Sequence, residues 1–274
     1  MSAIVREMRS AFAFIERNIN LIKRYWGWEI VWLIYSLVNS LAVTYIGAGM
    51  ERISGQQLDT QYLITYLLVG TLIWSYLSVI FYAISEMIAW ERWEGTIEYT
   101  FMAPVSRSTH LVGTTLFAIG YGVVRTLVIL VIVASFFHLD LSGANIPGAI
   151  LLLLAGSVSF VGLGILAAVL PLLYPERGAQ MTNAAAALLL LISGVYYPVE
   201  TLPGWLQTIA SASPATYVIE GMRGCLLHGE STAILLPTVF LLLGVGVAVI
   251  AFGLFIFRFV ERYAKRAGRL KRSG

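Results

Sequence analysis

The chain has 274 residues, 58% of them hydrophobic and 12% charged, with a net charge of +3 and a mean hydropathy of +0.81. A soluble domain carries about a quarter charged residues, so this composition excludes a water-soluble globular protein. The small net charge, with no basic residues spread along a polar surface, excludes a nucleic-acid binder, and a single cysteine, Cys225, excludes an intrachain disulfide framework and a Cys-rich zinc site.

Residues 4–25 open the chain. Ile4, Met8, Phe12, Ile15, Ile19 and Ile22 recur every three or four positions, while Arg6, Glu7, Arg9, Glu16 and Arg17 fill the remaining positions. This spacing predicts an amphipathic helix lying in the membrane interface, or alternatively a helix packed on a partner. A cleavable signal needs an unbroken apolar run, which this segment lacks.

Six stretches then come near the 20 or so apolar residues needed to cross a bilayer. They run over roughly 28–50, 62–88, 111–137, 146–170, 181–197 and 233–259, and the fifth is short. Lys and Arg set the orientation. Arg6, Arg9, Arg17, Lys23 and Arg24 precede the first span, and Arg258, Arg262, Lys265, Arg266, Arg269, Lys271 and Arg272 close the last and form the tail. With Arg92, Arg107 and Arg177 in the intervening loops, 15 of the 18 basic residues fall on one side. Only Arg52 and Arg223 fall on the other, with Arg125 inside a span. Both termini are therefore expected in the cytoplasm, with the basic tail, 260–274, anchoring to anionic lipid.

Two segments between spans are unusual. Residues 86–110 hold Glu91, Glu94 and Glu98 at spacings of three and four, which share a face if the helix is continuous. Trp90 and Trp93 flank them, Gly95 permits a break and Pro104 ends the segment. Two readings stand: a solvated amphipathic connection, or a short helix that docks on a cytoplasmic partner. After the fifth span, Gly194, Pro198, Pro203 and Pro214 stop any straight helix, yet Trp205, Leu206, Ile209, Tyr217, Val218 and Ile219 are too apolar for an open loop. A pair of short re-entrant or interfacial helices on the outer side is expected there, capping or gating an internal path.

Catalytic chemistry is scarce. The three lysines, Lys23, Lys265 and Lys271, follow no glycine, so a G-x-x-x-x-G-K-[ST] phosphate loop is absent. Asp59 and Asp140 are the only aspartates, both in outer loops, and His110, His138 and His228 are dispersed. No metal site, cofactor site or catalytic group is expected. Arg125 is the one basic residue well inside a span, where burial costs about 2.5–3.5 kcal/mol. It is either a polar contact on a substrate path or a structural partner for a carboxylate (Glu29 or Glu86) or for carbonyls. The aromatics Tyr62, Tyr66, Trp74, Tyr76, Phe81 and Tyr82 of the second span read as a stacking lining or as lipid-facing anchors.

The segment E-R-W-E-G-T-I-E-Y-T-F-M-A-P-V-S-R, Glu91 to Arg107, resembles the cytoplasmic loop of ABC-2 type transporter permeases, where E-x-x-x-G-T-[LI]-E precedes a Pro-Val-Ser/Thr ending. The segment from Ser193 to Arg223 is similar to a second signature of that family: a Gly-x-x-x-Pro turn, a Leu-Pro-x-Trp-Leu helix, a Pro-x-Thr-Tyr step and a closing Arg. The motifs are most similar to the drug-export and nodulation-factor branches. The start, R-N-I-N-L-I-K-R-Y-W, departs from the entry usual in the O-antigen and teichoic-acid branch.

The resemblance implies half of a transmembrane domain, paired with an identical or similar permease subunit. Separate ABC ATPase subunits, which hold ATP and Mg, would dock beneath it. Glu91, Glu94, Gly95, Thr96 and Glu98 would then couple to the ATPase, and Gly194, Pro198, Pro203, Trp205, Pro214 and Arg223 would shape an outer gate. The expected architecture is an all-α integral membrane protein of the bacterial cytoplasmic membrane. It has an N-terminal interface helix, a six-span bundle over 28–259, a cytoplasmic coupling helix and outer re-entrant helices after span five. The expected function is ATP-driven export of a hydrophobic or amphipathic substrate. A lipid-linked polysaccharide or glycolipid exporter, and a membrane scaffold without transport of its own, are the alternatives.

Overall fold

The computed structural model describes residues 3–55, 57, 59–137 and 143–266, without the side chains of Ala3, Ile4, Ile53, Phe101 and Arg107. His138, Asp140 and the tail cations Arg269, Lys271 and Arg272 lie outside the described residues. All regular structure within them is helical. A helix α1 (Ala3–Arg24) leads into α2 (Trp26–Ser54) and α3 (Thr60–Ser85). Two short helices, α4 (Met87–Glu94) and α5 (Ile97–Met102), connect to α6 (Arg107–Phe136). Then follow α7 (Ile146–Ala167), α8 (Val169–Leu173), α9 (Gly178–Ile192), α10 (Gly204–Ala210), α11 (Pro214–Leu227) and α12 (Thr232–Arg266).

Local chemistry sets where the long helices begin. Asp59 accepts from the Tyr62 amide at 2.9 Å, Ser106 from Thr109 at 3.1 Å and Asn145 from Gly148 at 3.1 Å. Each side chain satisfies an amide that has no partner within the helix.

Among the described residues, five helical stretches are long and apolar enough to cross a membrane: Trp26–Arg52, Thr60–Ser85, Ser108–Phe136, Ile146–Leu173 and Thr232–Arg266. The expected fifth span differs. It forms α9, a 15-residue helix that reaches about 22 Å at 1.5 Å per residue, against a hydrocarbon core of about 30 Å. The reason lies at its end: Gly194 takes φ 66°, a left-handed conformation that ends the helix there. Ser193, Gly194 and Val195 are buried, so the chain turns inside the protein. The expected fourth span also breaks. Pro171 cannot donate to the carbonyl one turn before it, and the helix restarts after Ala168 as α8.

The core centres on α3, whose Tyr76, Leu77, Ile80, Phe81 and Ile84 are fully enclosed. The Tyr76 hydroxyl hydrogen-bonds Ser157 of α7 at 2.8 Å, which satisfies two polar groups at depth. Helices α7 and α12 lie nearly backbone to backbone: the Ser159 hydroxyl donates to the Leu242 carbonyl at 2.7 Å, and a Cβ on Gly246 would come within 2.8 Å of the Ser159 amide nitrogen. Small residues permit such close packing where apolar burial gives little drive. On the other side of α3, Leu68 and Leu72 meet Ile129 and Val133 of α6, with Leu33, Leu37 and Leu41 of α2 packed around them. The second-span aromatics divide accordingly: Tyr76 and Phe81 are core, and Tyr62 is exposed.

Candidate functional site: the α4–α5 elbow and its anchors

The three carboxylates at spacings of three and four do not lie on one helix. Gly95 adopts φ 75°, its amide donates to the Arg92 carbonyl at 3.1 Å, and the Thr96 amide donates to the Glu91 carbonyl at 2.8 Å. This paired closure ends a helix on a left-handed glycine, so α5 leaves in a new direction. The expectation of a shared face is corrected here, because Glu91 and Glu98 belong to different helices.

Their surroundings differ as well. Glu91 is 2% exposed, Glu94 is intermediate and Glu98 is exposed. Helix α4 turns Met87, Ile88, Glu91 and Arg92 inward and leaves Trp90 and Trp93 outside, with their rings edge to face at 5.5 Å. In α5, Ile97 is the buried anchor, while Tyr99 and Met102 are among the most exposed large side chains of the chain. The elbow therefore presents Trp90, Trp93, Glu94, Glu98, Tyr99 and Met102 as an aromatic and acidic surface.

Behind that surface lies a buried polar cluster. Glu91 Oε1 is 3.1 Å from Arg17 Nη1 of α1 and 3.3 Å from His110 Nε2 of α6. Phe14 stacks on the His110 ring at 4.3 Å, and the Arg17 guanidinium sits 5.5 Å from the Phe14 ring centre. One residue further along α4, Arg92 reaches a different helix and donates to the Leu172 carbonyl of α8 at 3.2 Å. Burial lowers its pKa from the ordinary arginine value. Sequence reasoning missed Arg17, Phe14 and His110 as one unit with Glu91, and Arg92 as a contact of α8. Arg17 and Glu91 are 74 positions apart, and no local periodicity records such a pairing.

Helix α1 is thus docked rather than simply floating at a surface. Glu7 accepts from Thr109 and Ser106 at the start of α6, where a carboxylate favours the positive end of the helix dipole. The outward stripe of Val5, Met8, Phe12 and Ile19 stays exposed, as an interface-lying helix requires.

Of the residues expected to shape a gate, Arg223 and Gly194 meet beside α3. Arg223 is 6% exposed; it donates to the Gly194 carbonyl at 2.8 Å, the Val195 carbonyl at 2.7 Å and the Tyr66 carbonyl at 3.5 Å. Its guanidinium lies 3.4 Å from the Tyr66 ring centre. Arg223 and Gly194 therefore form one bolt that joins α11, the turn after α9, and α3. The prolines begin elements: Pro198 precedes a single 3-10 turn, Pro203 caps α10, and Pro214 occupies the first turn of α11. Trp205 stands exposed on α10. Gln207 ties this hairpin by donating to the Glu200 and Leu202 carbonyls.

Arg125 lies apart from both groups. Its Nη2 donates to the Trp32 carbonyl at 2.9 Å and the Ser36 hydroxyl at 2.5 Å, while Tyr121 donates to Glu29 one turn away. It joins α6 to α2.

A family model described as ABC-2 type transporter matches residues 9–227. The chain belongs to the ABC-2 type transporter family. No curated protein matches it. Membership makes it a multi-pass membrane permease of an ABC transporter, with an ABC ATPase subunit as its partner. The matched region contains the α4–α5 elbow, the Arg223 bolt and most of α1, so all three belong to the ABC-2 domain.

Proposed function

We propose that this ABC-2 permease exports a hydrophobic or amphipathic molecule, drug-like or lipid, across a bacterial cytoplasmic membrane, with both termini in the cytoplasm. The observation that carries the coupling half of this reading is the two-faced elbow: one face is buried against three other helices, and the other is exposed and aromatic. A short element clamped on one side and open on the other suits a lever pushed by a neighbour.

In this reading Trp90, Trp93, Glu94, Glu98, Tyr99 and Met102 meet the ATPase, Gly95 and Thr96 set the angle of the elbow, and Glu91 acts from within. ATP-driven closure of two ATPase subunits moves two permease halves, and the second half is another copy or a similar chain. Helix α9 and the 3-10 turn after it together make the remaining crossing of a six-span bundle, and α10 and α11 lie at the outer end of the path as its gate. Arg223 holds that gate to α3. The apolar, aromatic faces of α2, where Trp28, Trp32 and Tyr35 are exposed, support a cargo that partitions into lipid. Arg125 braces the wall behind that face.

The test is purification of the permease from its own host, with ATP turnover measured in the recovered complex. An ABC ATPase should copurify, and Glu98→Ala should lower turnover coupling by about tenfold, the equivalent of one charge-assisted contact. Recovery without any ATPase, in a chain that assembles other proteins, favours the scaffold reading. A stable Glu98→Ala variant with unchanged coupling removes Glu98 from the docking surface. Export of a lipid-linked glycan in place of an apolar compound favours the alternative cargo.

A further inference from the structure

Glu91 and Arg92 are neighbours of opposite charge on an eight-residue helix, both are buried, and they reach different partner helices. Glu91 reaches Arg17 of α1 and His110 of α6. Arg92 reaches the last turn of α8, at the Leu172 carbonyl. Consecutive residues on a helix point about 100° apart, so one short helix can grip two separate bodies through adjacent positions.

These grips are directional. A buried carboxylate that shares one oxygen between a guanidinium and an imidazole loses more on separation than an apolar contact does, because Glu91 and His110 are left desolvated. A guanidinium donating to the Leu172 carbonyl is likewise directional, since a hydrogen bond weakens steeply as its angle departs from linear. Apolar packing alone, through Met87 and Ile88, would let α4 slide; the two polar grips resist sliding on each side.

We infer that the Glu91–Arg92 pair makes α4 a yoke. Glu91 carries any displacement of α4 to α1 and the start of α6, and Arg92 carries it to α8 and so to the junction of α7 with α9. The elbow therefore moves the two flanks together instead of pushing on one. Both are positioning residues, and neither needs to touch the ATPase. The inference rests on the proposed coupling reading for its function, whereas the two-sided grip belongs to the permease alone.

The two are separated by measuring hydrogen exchange on the full-length permease in lipid nanodiscs, without ATPase, and then transport per ATP hydrolysed in the reconstituted complex. Glu91→Gln should speed exchange about tenfold, the effect of losing one charge-assisted contact, in α1 and the first turn of α6, and leave α8 unchanged. Arg92→Met should speed it by a similar factor in α8 and leave α1 unchanged, with Arg92→Lys restoring part of the protection. In the complex, each variant should lower transport per ATP. Exchange that rises equally on both flanks, or on neither, overturns the yoke. Side-specific exchange with unaltered transport per ATP overturns its role in coupling. If no ATPase assembles with the chain, the coupling reading fails, while the exchange pattern still decides the grip.

Discussion

Arg223 closes the turn after α9 by donating to the carbonyls of Gly194 and Val195, and its guanidinium stacks on Tyr66. Charge-assisted hydrogen bonds are worth about 1.5–3 kcal/mol each when a partner is left buried, so Arg223→Met should cost about 3 kcal/mol and Arg223→Lys less. Thermal unfolding in detergent measures both. Gly70 tests the same bolt from the other side: an added Cβ would lie 2.2 Å from the Val195 carbonyl oxygen and 2.7 Å from Arg223 Nη2. Gly70→Ala should therefore destabilise by about 1–3 kcal/mol through overpacking. Glu86, between α3 and α4, has its carboxyl pKa raised by burial. In the window between the ordinary glutamate value and that raised value, the folded chain holds a proton the unfolded chain has lost, so stability falls as pH rises. Glu86→Gln should melt higher than the parent at neutral pH, and the difference should vanish below the ordinary glutamate range. The sequence marked Arg223 and Gly194 as notable but not as partners, because 29 positions separate them.

Among the elements, α4 and α5 owe their angle to one glycine. Gly95→Ala must place a side-chain-bearing residue at φ 75°, at about 1 kcal/mol, or straighten the elbow and swing Glu98 away. Transport per ATP should fall more than thermal stability does, and the comparison of the two measurements separates strain from misdirection. The end of α9 was legible in Gly194 and Pro198, and the starts of α10 and α11 in Pro203 and Pro214. The spacing of Glu91, Glu94 and Glu98 was misleading, since periodicity assumes the helix continues and a left-handed glycine stops it. Helix α1 was legible as amphipathic, but its docking through Glu7, Phe14 and Arg17 was not, because polar residues on a helix carry no record of whether they face water or another helix.

For the whole molecule, the sidedness of the bundle is the matter to test. Cys225 is buried, so cysteines placed at Tyr99 and Trp205, both exposed, can be labelled selectively. An impermeant thiol reagent should reach Trp205→Cys from outside intact cells and Tyr99→Cys only after the membrane is opened. Labelling of both from one side would replace the six-crossing topology with an odd number of passes. Composition and hydrophobic length determined by themselves that this is a helical membrane protein, and the distribution of Lys and Arg determined which orientation to expect, since both signals act locally along the chain. The Glu91–Arg17–His110 cluster, the Arg92 contact with α8 and the Arg223 bolt were decided only by the tertiary structure, because a buried polar group must find its partner wherever folding brings one near.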